Sequence, residues 1–338
     1  MLIPLSVLDL SPIATGAKDS EALLNTLDLA KAADRFGYTR YWLDEHHNIP
    51  SVASTAPEIM IGHVASVTNR IRVGSGGVML PNHAPLRIAE EFRVLEALHP
   101  GRIDLGVGRA PGSDQATTLA LRHSKERLMV DDFPELMGEL LHFLRPPDND
   151  DAIQAIPRDV STPPLWMLGS TEDGAQMAAG LGVGFAFAHH INPDLAEHAV
   201  QVYRSTFKPG PRLDRSRVIL ALAAICAETS AEAEQLGSSV ELSWVRLLST
   251  WTETTAAFSS GDFFAGRRKL KTESAETIPG RYRRERNQGS PTPKDILQSR
   301  RMIEEDPRHL EGARYAIGER FYPACLRRVM PGVNQIHS

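Results

Sequence analysis

Cysteine is scarce: Cys226 and Cys325 are the only two in 338 residues, so no disulfide framework can hold the fold, and a reducing cytoplasm is the expected setting. Cys226 lies within an apolar run, where a small buried thiol is expected. That run, Val218 to Ala227, is the longest in the chain and reaches about half of the ~20 residues a membrane-spanning helix requires. The N-terminus has no basic region and reaches an acid at Asp9, which argues against a secretory signal. Neither charge sign dominates. A net charge of −5 and a pI near 6.2 give no reason to expect nucleic acid or an anionic membrane as partner. A Gly-x-Gly-x-x-Gly turn after the first strand is also missing, since Ser11-Pro12-Ile13 stands there, and this counts against a dinucleotide-binding Rossmann sheet.

What is present is alternation. Strand signals at 3–8, 39–43, 71–80, 103–107, 165–168, 184–188 and 218–227 are separated by helix signals opened by Pro57, Pro85 or capping residues such as Asp19 and Ser20, and Gly37 supplies a left-handed stop. This order predicts an α/β fold, a (β/α)8 TIM barrel with seven strands and crossover helices in residues 1–250. The third strand carries Ser75-Gly76-Gly77 in its middle, a sign of a bulge or a close ligand. After Trp251 the composition turns basic. Residues 261–293 read as a mobile lid loop, and 296–303 and 308–317 as short helices, so 251–338 forms an atypical C-terminal segment completing or capping the barrel.

The chemistry-bearing residues follow strand ends. Asp44-Glu45-His46-His47 places two acids and two bases after the second strand, and His189-His190 follows the sixth. Adjacent residues on a strand face opposite ways, so these doublets cannot chelate as a His-x-His does, and no metal is expected. Arg109, closing the fourth strand within Gly106-Val107-Gly108-Arg109, suits a phosphate, although such an arginine can also merely pair a loop carboxylate. Gly169, Ser170, Thr171 and Gly174 offer hydroxyls and amides at a helix start, where an anion is favoured and plain capping is the alternative. Arg109 and this loop sit on neighbouring strands and can converge on one phosphate.

With these motifs, and with Gly74-Ser75-Gly76-Gly77-Val78-Met79-Leu80-Pro81 and His99-Pro100-Gly101-Arg102-Ile103-Asp104-Leu105, the sequence resembles the bacterial luciferase-like flavin monooxygenases over roughly residues 1–248. The resemblance implies a barrel binding reduced FMN, with His46 as the catalytic acid or base. Arg109, Gly169, Ser170, Thr171 and Gly174 fall around the phosphate, and Gly76-Gly77 forms a cis peptide beneath the ring. It places His47, Val107 and His190 about the substrate pocket. It implies a flavin reductase as electron source, oxygen and an aldehyde or other small organic molecule as substrates, and a homodimer. For the dimer, the helices carrying Ile59, His63 and Val67 and Ile88, Phe92 and Leu95 offer candidate faces. Val107 stands where the light-emitting members carry a reactive cysteine, so bioluminescence is not inferred. The ending departs from the family's apolar eighth strand, as either a divergent terminus or an altered reading frame would make it. Two rivals share the motifs: a deazaflavin-dependent oxidoreductase on the same barrel, and a flavin-binding protein without turnover.

Overall fold

A computed structural model describes residues 3–225 apart from 15, 123–131, 147 and 149, together with 227, 229, 233 and 237 and the backbone of 313–318. Its strands are β1 (Leu5–Asp9), β2 (Arg40–Leu43), β3 (Arg72–Ser75), β4 (Val78–Met79), β5 (Ile103–Gly108), β6 (Leu165–Gly169), β7 (Gly184–Ala188), β8 (Val218–Ala223) and β9 (Ala313–Gly318). Between them run α1 (Asp19–Arg35), α2 (Pro57–Val67), α3 (Pro85–Leu98), α4 (Gln115–Arg122), α5 (Phe133–Leu144), α6 (Glu172–Leu181) and α7 (Ala196–Thr206). Every strand pairing is parallel, in the order β3-β2-β1-β9-β8-β7-β6-β5-β4, and a β3–β5 pairing joins the two ends into a ring. This is an α/β TIM barrel in which β3 and β4 are two halves of one strand position.

Helices cover the outside because each buries one stripe. Phe133, Met137, Leu140 and Leu144 recur at helical spacing on α5 and join the main core with Phe92 of α3, Ile61 of α2 and Tyr203 of α7. The barrel lumen is a second cluster, formed by Trp42, Trp166, Ala186, Ile219 and Ala221 with Leu8 and Leu168 against it. Near the N-terminal ends of the strands the lumen is plugged by charge: Asp104 accepts from Arg40 Nε at 2.8 Å, Arg72 Nε at 2.9 Å and Trp42 Nε1 at 3.2 Å. Two cations and an indole therefore compensate this buried carboxylate.

The structure corrects several expectations. Residues 71–80 do not form one strand. The chain breaks between β3 and β4 at a cis Gly76–Gly77 peptide and turns into a 3-10 segment at Leu80–Asn82. At this break strands come closer than a side chain allows: a Cβ on Gly106 would lie 2.2 Å from the Ser75 carbonyl oxygen, so only glycine fits. The seventh strand signal ends at Ala223 rather than at residue 227. Within 308–317, where a short helix is expected, Ala313–Gly318 instead pairs with both β8 and β1, because two open strand edges there need backbone partners. Ile88, Phe92 and Leu95 belong to the core and not to an outer face. Cys226, the 230–248 helix apart from 233 and 237, the 261–293 lid and the 296–303 helix lie outside the described residues.

Candidate active site

Asp44–His47, Arg109, Gly169–Gly174 and His190 stand at the C-terminal ends of their strands, the rim where barrels place their working groups, whereas Gly76 and Gly77 lie between β3 and β4 and Val107 within β5. His46 follows β2. Its Nδ1 lies 2.5 Å from Oδ2 of Asp44, a charge contact between a half-buried ring and a buried carboxylate. Burial alone would lower the His46 pKa, but the contact with Asp44 and the charges of Asp44 and Glu45 outweigh it and raise it. The Asp44 carboxyl is itself raised, chiefly by burial.

His190, after β7, points Nδ1 to the Ala221 carbonyl at 3.1 Å, and its pKa is lowered by burial and by the charge of His46. The fold thus brings His46 and His190 within electrostatic reach across the mouth, although 144 positions separate them. Val107 does not line the pocket as expected: buried in β5 and in register with Val78 of β4 and Met167 of β6, it packs with both in the main core between strands and helices, on the face away from the lumen.

Arg109 is exposed at the end of β5. Gly169 ends β6, paired beside β5, so the loop from Ser170 to Gly174 opens next to it at the same rim. Thr171 caps α6, its hydroxyl accepting from the Gly174 amide at 3.3 Å, and the Ser170 carbonyl accepts from Asn192 Nδ2 at 3.0 Å. An always-charged guanidinium beside the positive end of a helix is a donor set that fits a phosphate monoester.

Glu45 is the residue sequence reasoning left without a role. Fully buried, it accepts at Oε1 from His47 Nε2 and His83 Nε2, both at 2.8 Å, and at Oε2 from the Met79 amide at 2.7 Å. His47 is therefore drawn onto Glu45 by its ring, while its backbone N–H binds the Gly112 carbonyl at 3.1 Å. Glu58, on the first turn of α2, completes a group with Glu45 and His83 whose polar atoms lie within 4.8 Å. Burial pushes the Glu58 carboxyl up to about 7, with the charges of Glu45 and Glu91 adding to it. The signal that could have revealed the hub was Asn82-His83-Ala84-Pro85, a histidine just before a helix-opening proline.

A family model for luciferase-like monooxygenases matches residues 3–309, beyond the 248 to which the motifs reach. A luciferase-like monooxygenase of Escherichia coli K12 is 45% identical over 245 residues, 72% of this chain and 73% of its own length. An N-acetyl-S-alkylcysteine monooxygenase of Bacillus subtilis is 39% identical over 240 residues, 69% and 71% of the two chains. Among solved structures, apo-MsnO8 superposes with a TM-score of 0.75 at 32% identity over 99% of both chains. The FMN-bound oxygenating constituent of 3,6-diketocamphane monooxygenase from Pseudomonas putida shares the fold at a TM-score of 0.61 and 15% identity, over 98% of this chain and 96% of its own. An F420-dependent secondary alcohol dehydrogenase shares it at 0.61 and 15%, over 98% and 99%. With its barrel, its strand-end site and these likenesses, the chain belongs to the luciferase-like monooxygenase family.

Proposed function

We propose that this protein is a monooxygenase that uses reduced FMN and molecular oxygen to oxidise an aldehyde or another small organic molecule. The observation that carries the reading is the Asp44–His46 pair at the barrel mouth, a histidine held toward its charged form by a buried carboxylate. Reduced flavin, when bound, supplies the electrons that activate oxygen. Arg109 and the amides of the Ser170–Gly174 loop would hold its phosphate, with Gly76 and Gly77 beneath the ring. Since Asp44 occupies Nδ1, His46 offers Nε2 to a bound molecule and holds or delivers a proton there. His190 lines the substrate side, and the lumen cluster under the mouth excludes water.

The electrons come from a separate flavin reductase in the reducing cytoplasm, and among the described residues no helix is long and apolar enough to cross a membrane. The working form is a homodimer: Ile59 of α2 and Val94 and Leu98 of α3 are exposed on adjoining helices. The test is an absorbance titration of the purified protein with reduced FMN and with reduced deazaflavin, each with and without oxygen. Oxygen-dependent turnover with FMN is the expected result. Turnover with deazaflavin that ignores oxygen would replace this reading by the hydride-transfer one, and binding without turnover would make the protein a flavin carrier.

A further inference from the structure

We propose that Glu45 is a positioning residue that sets the phosphate end of the cofactor pocket by clamping three strand-end loops together. The inference rests on the FMN reading above and concerns the same pocket. Glu45 reaches the loop after β2 through His47, the start of the 3-10 turn after β4 through the Met79 amide, and the far side of that turn through His83. The loop after β5, which carries Arg109, is tied to this hub from two sides. The Gly112 carbonyl accepts from the His47 amide at 3.1 Å, and the Pro111 carbonyl accepts from Asn82 Nδ2 at 3.0 Å, next to His83. A further bond, Arg122 Nε to Asn82 Oδ1 at 3.1 Å, fastens α4 to the same turn.

Contact is as close as it can be. Gly112 has φ +65°, and a Cβ there would stand 2.7 Å from the Glu45 carbonyl oxygen, so the β5 loop lies directly on the Glu45 backbone. Three donors meet two carboxylate oxygens. An amide in their place would turn one of its N–H groups toward a donor and leave one tie without an acceptor. Burial would raise the Glu45 carboxyl, yet the bond and charge of His83 and the bonds from His47 and the Met79 amide hold it below the usual range, so it stays an acceptor for all three donors.

A residue acting through the Arg109 loop must change selectivity for the phosphate, which a merely stabilising residue would not. The experiment measures dissociation constants of FMN and riboflavin by flavin fluorescence for the wild type, Glu45→Gln, Arg109→Ala and the double variant, with melting temperatures alongside. Glu45→Gln should cut the preference for FMN over riboflavin at least fivefold. The double variant should lose little beyond Arg109→Ala alone, because both act through one contact. Glu58→Gln, which touches the cluster but ties none of these loops, should keep the preference within twofold. A Glu45→Gln protein that melts lower while keeping the wild-type preference overturns the proposal, as does full additivity in the double variant. If Glu45→Gln does not fold, His83→Gln removes one tie and should shift the preference in the same direction, and an unchanged preference there counts equally against it. A wild type that binds neither flavin defeats the FMN reading instead. The same comparison with deazaflavin coenzyme and its phosphate-free form then decides the role of Glu45.

Discussion

His46 Nδ1 and Asp44 Oδ2 sit 2.5 Å apart, so one buried carboxylate both orients the ring and keeps its charged form populated above the usual value of about 6.5. The sign follows directly. A proton donor with a raised pKa is active below that pKa and loses activity as pH rises through it. Asp44→Asn removes the main raising influence, so the alkaline limb of the kcat/KM profile should move to lower pH. An unmoved limb would detach Asp44 from the chemistry.

Replacing His46 by alanine should leave reduced-FMN binding within about tenfold while product formation falls by the ~10²–10⁴ typical of losing a general acid or base. Hydrogen peroxide release should rise as oxidation of the organic substrate fails. Simultaneous loss of flavin binding would make His46 a binding residue and shift attention to His190.

Arg109→Ala should weaken FMN binding by about 1.5–3 kcal/mol, the range of a hydrogen bond to a charged group, with riboflavin binding nearly unchanged. Equal losses for both ligands would mark Arg109 as structural.

Asp34, buried at the end of α1, accepts from the amides of Asn69 and Ile71 at 2.8 Å and of Arg70 at 3.1 Å, tying the α2–β3 turn. Burial would raise its carboxyl, but those three amides and the Arg70 charge hold it low. A depressed folded value stabilises above the unfolded value of about 3.9 and is lost as pH falls through it. Asp34→Asn should therefore cost about 1–3 kcal/mol at pH 7 and progressively less in acid, as urea melts at several pH values would show.

The proposed homodimer should appear by light scattering at micromolar concentration, and Ile59→Glu with Leu98→Glu should release monomers that still bind flavin. A wild-type monomer would remove this face as an interface.

The barrel was legible because proline and glycine punctuate it: Pro57 and Pro85 open α2 and α3, and Gly37 at φ +79° closes the turn after α1. The helix α5 was also written plainly, in Phe133, Met137, Leu140 and Leu144 around Pro134, although no strand directly follows it to mark it as a crossover. Strand β9 was not legible. Ala-Arg-Tyr-Ala-Ile-Gly has no strong apolar alternation, and only two waiting strand edges make it a strand. Of the site, single residues beside motifs could be found, whereas the Glu45 hub joins partners 34 and 38 positions away, and the histidine before Pro85 was its one local trace.

Since β9 is hydrogen-bonded on one side to β8 and on the other to β1, the first and the last of the described strands are neighbours. A growing chain therefore carries two unsatisfied strand edges until residue 318 has left the ribosome tunnel. The ring cannot close in segments, and its contact with the highest sequence separation must form at the end. Nascent chains halted before that point should present the β1 and β8 edges to chaperones or to one another, whatever the quality of the core already built.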